Sequence, residues 1–119
     1  MADKFNPKIG SRVSKADAEK WIDRYDKERR KEKEKDTKSV FYGKDVFEEI
    51  LKTPEAVGIS IFLSLKHHPH AGKEVENFVL VPTKADGTLI WSEEGGKDSA
   101  SSPVWDDGAV CPPNCPKIP

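Results

Sequence analysis

The hydrophobic positions cluster between Val13 and Trp91, and their spacing changes character along that stretch. Ala18, Trp21, Ile22 and Tyr25 recur at helical spacing and predict one apolar stripe. Ser14 precedes the stripe as a candidate N-cap, with Asp17 and Glu19 where the helix dipole favours negative charge. Carrying the stripe past Tyr25 meets Arg29, Glu32 and Asp36. The first turns are therefore expected to dock, while the part from about Asp26 to Lys35 projects or frays. Val46, Phe47, Ile50 and Leu51 predict a second helix from about Lys44 to Lys52, ended by Thr53-Pro54 because the residue before a proline is pushed out of helical geometry.

From Gly58 the period changes to two. Gly58-Ile59-Ser60-Ile61-Phe62-Leu63-Ser64-Leu65 reads as the central strand, with Ile59, Ile61, Leu63 and Leu65 on one face. That face is wholly aliphatic and is expected to be covered. Phe78-Val79-Leu80-Val81 predicts the next strand, and Pro82 places that strand's end at an edge or bulge. Asp86-Gly87 is a hairpin signal. A two-residue turn there pairs Lys84 with Leu89 and Pro82 with Trp91, and puts Phe78, Leu80, Leu89 and Trp91 on one face. The resulting expectation is an α+β fold, two helices packed on one face of a three-stranded antiparallel meander with an irregular C-terminal tail. It forms one domain over 1–119: a loose arm over 1–12, a core over 13–92, and a tail over 93–119 that carries the cysteines and from which Trp105 docks back.

Composition narrows the function classes. The chain has 119 residues, 35% hydrophobic and 34% charged, leaner and more charged than an average domain. A net charge of −1 gives no global pull toward nucleic acid or anionic membrane. No apolar run reaches the length of a membrane span, and residues 1–10 lack the apolar middle of a secretion signal, so the expected location is cytoplasmic.

Cys111-Pro112-Pro113-Asn114-Cys115 is the first candidate site. A zinc site would need further ligands, for which His67, His68 and His70 are the available donors, although no spacing rule links them to the cysteines. A redox pair ordinarily spaces its cysteines two residues apart at a helix start, and the prolines here argue against a helix. A local disulfide between Cys111 and Cys115, or two passive thiols, completes the set of readings. The three histidines sit beside Pro69 and Gly72 in what reads as a loop, which invites either a metal or simple solvation. Lys20, Arg24, Lys27, Lys31, Lys35 and Lys38 align on a continuous helix as a basic stripe that could follow phosphates. Asp17, Glu28 and Glu34 border it and no aromatic interleaves, so a solvated face accounts for it better than a nucleic-acid site. Ser60 and Ser64 have no His and Asp in triad order, and no phosphate loop or zinc-hydrolase helix is present.

The Gly58-Ile59-Ser60-Ile61-Phe62-Leu63 strand after a short helix, Phe78-Val79-Leu80-Val81 with Asp86-Gly87, and the terminal Cys111-Pro112-Pro113-Asn114-Cys115 together resemble a group of small bacterial proteins. These share a Gly-Ile-x-Ile-aromatic-Leu strand and a terminal Cys-Pro-Pro-x-Cys. The likeness covers about Ser14 to Cys115. The group has no established activity, so the resemblance lends no catalytic or binding residue and implies only that Cys111 and Cys115 belong to the folded unit. The functional expectation is a small non-enzymatic protein-interaction module without a cofactor, with Phe62 and Trp105 as aromatic anchors for a protein partner. The alternatives are a metal- or thiol-dependent module and a weak nucleic-acid binder.

Overall fold

The computed structural model describes residues 5–92 and 102–117. The fold is α+β, with α1 at Lys15–Arg29, β1 at Ser39–Phe41, α2 at Lys44–Leu51, β2 at Ala56–His68, β3 at Lys73–Lys84 and β4 at Ala109–Cys111. The strands form two antiparallel two-stranded sheets, β1 with β4 and β2 with β3, in place of the expected three-stranded meander. The described chain divides into two compact units. One comprises 5–9, 42–64, 78–92 and 102–108, and the other 10–41, 65–77 and 109–117.

The first unit holds α2 and the paired stretches of β2 and β3 that lead away from their connecting turn. Its core lies on β3. Leu80, Val81, Pro82 and Thr83 are buried in succession, and Ile50 of α2 is likewise buried, at 1% exposure. A strand buried at consecutive positions is covered on both faces. The aliphatic row of β2 is not covered, which corrects the expectation. Ile61 is 57% exposed, Leu63 71% and, farther along the strand, Leu65 69%. The reason is a shortage of covering layer, since α2 spans only 8 residues and Ile50 is the sole one it buries.

The hairpin after β3 also differs by one residue. Its loop is Ala85-Asp86-Gly87, with the Lys84 N–H donating to Thr88 O at 2.9 Å and the Gly87 N–H to Lys84 O at 2.9 Å. Gly87 has φ +92°, the backbone region open to glycine that a three-residue hairpin loop requires at this point. Asp86 adds a carboxylate acceptor for the Thr88 N–H at 2.9 Å. Leu89 consequently pairs with Thr83 rather than Lys84. A slip of one residue exchanges faces, so Leu89 shares its face with Thr83 and Val81, not with Phe78 and Leu80. The third strand stops at this single pair because Trp105 takes the next place along β3, opposite Leu80. Phe5, at the described end of the arm, rests on this loop. The Phe5 N–H bonds Ala85 O at 3.3 Å, and its ring lies so close to Gly87 that a Cβ there would sit 2.9 Å from Phe5 Cε2.

In the second unit, the hydroxyl of Ser14 caps α1 by accepting the Asp17 N–H at 3.1 Å. The helix buries none of its residues, and Trp21, in the stripe expected to dock, is 59% exposed. Tyr25 makes the attachment: its hydroxyl lies 3.4 Å from Thr37 O and 3.3 Å from Glu76 Oε2. The helix ends at Arg29, and the predicted projecting half is a compact turn built around Arg30, which is 6% exposed. The Arg30 guanidinium donates to Asp36 O at 2.8 Å, Lys33 O at 2.6 Å and the Asp26 carboxylate. Asp36 accepts the N–H groups of Lys31 and Glu32 at 3.1 and 3.0 Å, and the Lys73 ammonium bonds Glu32 and Asp36. A buried guanidinium is tolerated because its donors are used here.

The described part of the cysteine tail is irregular for most of its length, with one short strand at Ala109–Cys111. Ser39, Val40 and Phe41 pair with Cys111, Val110 and Ala109, and the Lys38 N–H donates to Cys111 O at 2.8 Å. Three-residue strands are too short to show a period in sequence. The Gly/Ser-rich stretch 93–101 lies outside the described residues.

Candidate functional site

The two edges of the β2–β3 hairpin are treated differently by the rest of the chain. Residues two apart on a strand direct their backbone groups to the same edge. On β3 the outward carbonyls are taken one after another. The Thr37 hydroxyl donates to Glu76 O at 2.6 Å, and the Tyr42 hydroxyl donates to Phe78 O. Leu80 and Trp105 exchange two backbone bonds at 2.9 and 3.0 Å, and the Ile90 N–H donates to Pro82 O at 2.9 Å. Pro82 fits this row because the edge asks only for its carbonyl. Lys84 closes the series through Thr88.

β2 has no such covering. Over Val57–Leu63, among the described residues, no backbone hydrogen bond runs to any segment beyond the hairpin. The same stretch carries the exposed Ile61 and Leu63, and no residue from Ala56 to Leu65 is charged. Phe62, on the opposite face, is 42% exposed and stacks against Trp91, ring centroids 6.5 Å apart with planes at 26°.

The expected anchors separate accordingly. Phe62 belongs to this surface with Trp91 as its aromatic neighbour, while Trp105 is half-buried and spends its backbone on the edge of β3. Reasoning from sequence missed the edge-capping hydroxyls of Thr37 and Tyr42. The available signal was a hydroxyl three residues before and another immediately after an apolar Val40-Phe41 pair.

A cavity of about 160 Å³ lies where the arm meets β2, walled by Phe5, Pro7 and Ile9 on one side and Val57, Ile59 and Thr83 on the other. Ser60 Oγ lies 2.6 Å from Thr83 Oγ1. None of the lining side chains is an acid, a base or a cation, so this hydroxyl has no group there to activate it.

Cys111 and Cys115 form a disulfide with their Cα atoms 4.6 Å apart. Cys111 is buried in β4 and Cys115 is exposed. Cysteine binds zinc as the thiolate, and sulfurs bonded to each other offer none. Among the described residues no group of three or more His, Cys, Asp or Glu is placed to hold a metal. His67 and His68 are the last residues of β2 rather than part of a loop, because the strand pairs up to them before the turn at 69–72. His70 lies in that turn, with its ring edge-on to His68 at 6.3 Å.

The basic stripe is broken. Lys20, Arg24 and Lys27 lie on α1, but Lys31 and Lys35 fall in the turn after its end, and Arg24 pairs with Glu28 at 3.2 Å. The charged groups of that turn are perturbed by each other. The Arg30 hydrogen bond, assisted by Lys33, holds Asp26 below the usual carboxylate range. The Glu32 N–H, then Lys73, does the same for Asp36, while Glu32 and Asp36 together raise Lys73. Burial, reinforced by the Glu76 charge, raises the Tyr25 phenol. These shifts belong to a structural network around Arg30, and no helix among the described residues is long and apolar enough to cross a membrane.

Comparison with protein-family models, with curated proteins and with solved structures finds no match for this chain.

Proposed function

We propose that this protein is a small non-enzymatic interaction module that binds a protein partner through β2. The observation that carries the reading is the contrast between the hairpin's two edges: β3 is hydrogen-bonded along its outer side by the chain itself, while β2 presents an uncharged stretch from Ala56 to Leu65 with Ile61 and Leu63 in solvent. Exposed apolar groups of this kind, grouped rather than scattered, mark interaction sites. An open strand edge supplies main-chain hydrogen bonds to a partner strand. The cytoplasm is the proposed compartment, and Cys111–Cys115 is its check. Reduced cysteines in cell extracts fit it, and a fully oxidised pair points to an oxidising compartment instead.

A photo-crosslinking residue placed at Leu63, with Lys20 as the control position, tests the interaction reading in cells expressing the full chain. The expected result is a discrete adduct from position 63 and none from position 20. Absence of any adduct from position 63 overturns it.

A further inference from the structure

We infer that the partner of β2 is a second copy of this chain, added antiparallel along the open edge to make a four-stranded sheet about a two-fold axis. This deepens the interaction reading and rests on it.

The occupancy of the edges selects the geometry. A head-to-tail array would join β2 of one copy to β3 of the next, and that route is closed. From Glu76 to Lys84 the outer edge of β3 is engaged by Thr37, Tyr42, Trp105, Ile90 and Thr88. Of the two edges of this hairpin, only that of β2 is open over Val57–Leu63 among the described residues, which leaves the isologous arrangement, in which β2 pairs with β2 and the assembly closes at two.

The sequence of β2 suits itself in that arrangement. An antiparallel pairing centred on Ile61 sets Ile61 against its own counterpart and Ile59 against Leu63. Opposed residues lie on the same face, so the two aliphatic rows merge into one continuous strip. No like charges meet, because Ala56–Leu65 contains none. Chains that keep such an edge monomeric place a lysine, a proline or an inward charge on it, and this stretch has none of these devices.

Sedimentation velocity on the full chain over a range of concentrations is the first measurement. The expected limit at high concentration is twice the monomer mass of 13.3 kDa, with no larger species. Ile61→Lys opposes two ammonium groups across the axis and is expected to raise the midpoint concentration about tenfold or more. Trp21→Lys, on an exposed helix position, is expected to leave it unchanged. Circular dichroism confirms that each variant is folded. Two further readouts do not depend on the lysine variant. Ile61→Cys is expected to give a covalent dimer under mild oxidation while Trp21→Cys does not, the native cysteines being paired. In the unsubstituted protein, β2 amides are expected to gain protection from hydrogen exchange as concentration crosses the midpoint.

A chain that stays monomeric throughout, or a dimer indifferent to Ile61→Lys, overturns the inference. If such a chain still gives an adduct of another mass from position 63, the interaction reading stands and only the second copy is lost. If position 63 gives no adduct at all, both fall.

Discussion

The Tyr42 hydroxyl donates to the carbonyl oxygen of Phe78, two positions along β3 from the place where Leu80 exchanges hydrogen bonds with Trp105. A side chain and a distant backbone segment thus act as successive stand-ins for a neighbouring strand. Thr37 does the same at Glu76 from a buried position. Removing either donor leaves a carbonyl short of a partner. Tyr42→Phe is expected to cost about 1 kcal/mol, and Thr37→Val, whose site is drier, about 1–3 kcal/mol. Urea unfolding followed by circular dichroism measures both, and values near zero would show that these hydroxyls are not needed at the edge.

Arg30 carries the turn that ends α1. Its substitution by alanine strands the Lys33 and Asp36 carbonyls and removes the cation beside Asp26. The expected loss is about 2–3 kcal/mol, whereas Lys20→Ala on the exposed helix surface is expected to stay within about 0.5 kcal/mol. Equal effects of the two substitutions would contradict the burial of Arg30.

The same network sets a pH dependence with a definite sign. Asp26 and Asp36 have depressed pKa values in the folded protein. Their contribution is therefore fully present above the ordinary carboxylate value of about 3.9 and is lost as pH falls through the lower folded values. Lys73 is raised above 10.5, so its contribution is intact below that value and fades as pH climbs through the folded one. All three groups are reached by solvent, so screening keeps each effect modest. The urea midpoint is expected to drop in acid in the unsubstituted chain, with a shallower drop in Asp36→Asn. Identical acid limbs would remove Asp36 from the account.

Gly87 and Phe5 make a steric pair. Gly87→Ala meets the phenyl ring and also places a Cβ at a positive φ, and is expected to cost about 1–2 kcal/mol. In a double-mutant cycle with Phe5→Ala, the steric part is recovered and the backbone part remains. Strict additivity of the two substitutions would mean that the ring does not rest on the turn.

Reduction of Cys111–Cys115 opens a loop of sequence separation 4. Chain entropy for so short a closure is about 2 kcal/mol. Hydrogen exchange on the reduced chain is expected to quicken at β1 and β4 and to leave Leu80–Thr83 unchanged.

The elements that sequence reveals best are those with local causes. Ser14 was readable as a cap, Val46 to Leu51 as a helix and Gly58 to Leu65 as a strand, because each carries its signal within a few residues. The burial of those elements was not readable. Ile61 and Leu63 have the pattern of a covered face, yet period alone does not say whether a covering layer exists. The run after Arg29 looked like solvated helix since nothing in its composition distinguishes a surface arginine from one wrapped by its own turn. The hairpin register turned on a single choice, whether Gly87 ends a two-residue or a three-residue loop, and both are compatible with Asp86-Gly87. The stacking of Phe62 on Trp91 was not readable either, because it joins residues far apart in sequence.

The pairing of Leu80 with Trp105 also bears on how the molecule is made. During synthesis β3 leaves the ribosome well before the residue that completes its outer side. At roughly 5–20 residues per second, the intervening stretch takes about one to five seconds to appear. For that interval the nascent hairpin has both sides incompletely satisfied, which is when a chaperone or a neighbouring polypeptide can reach it.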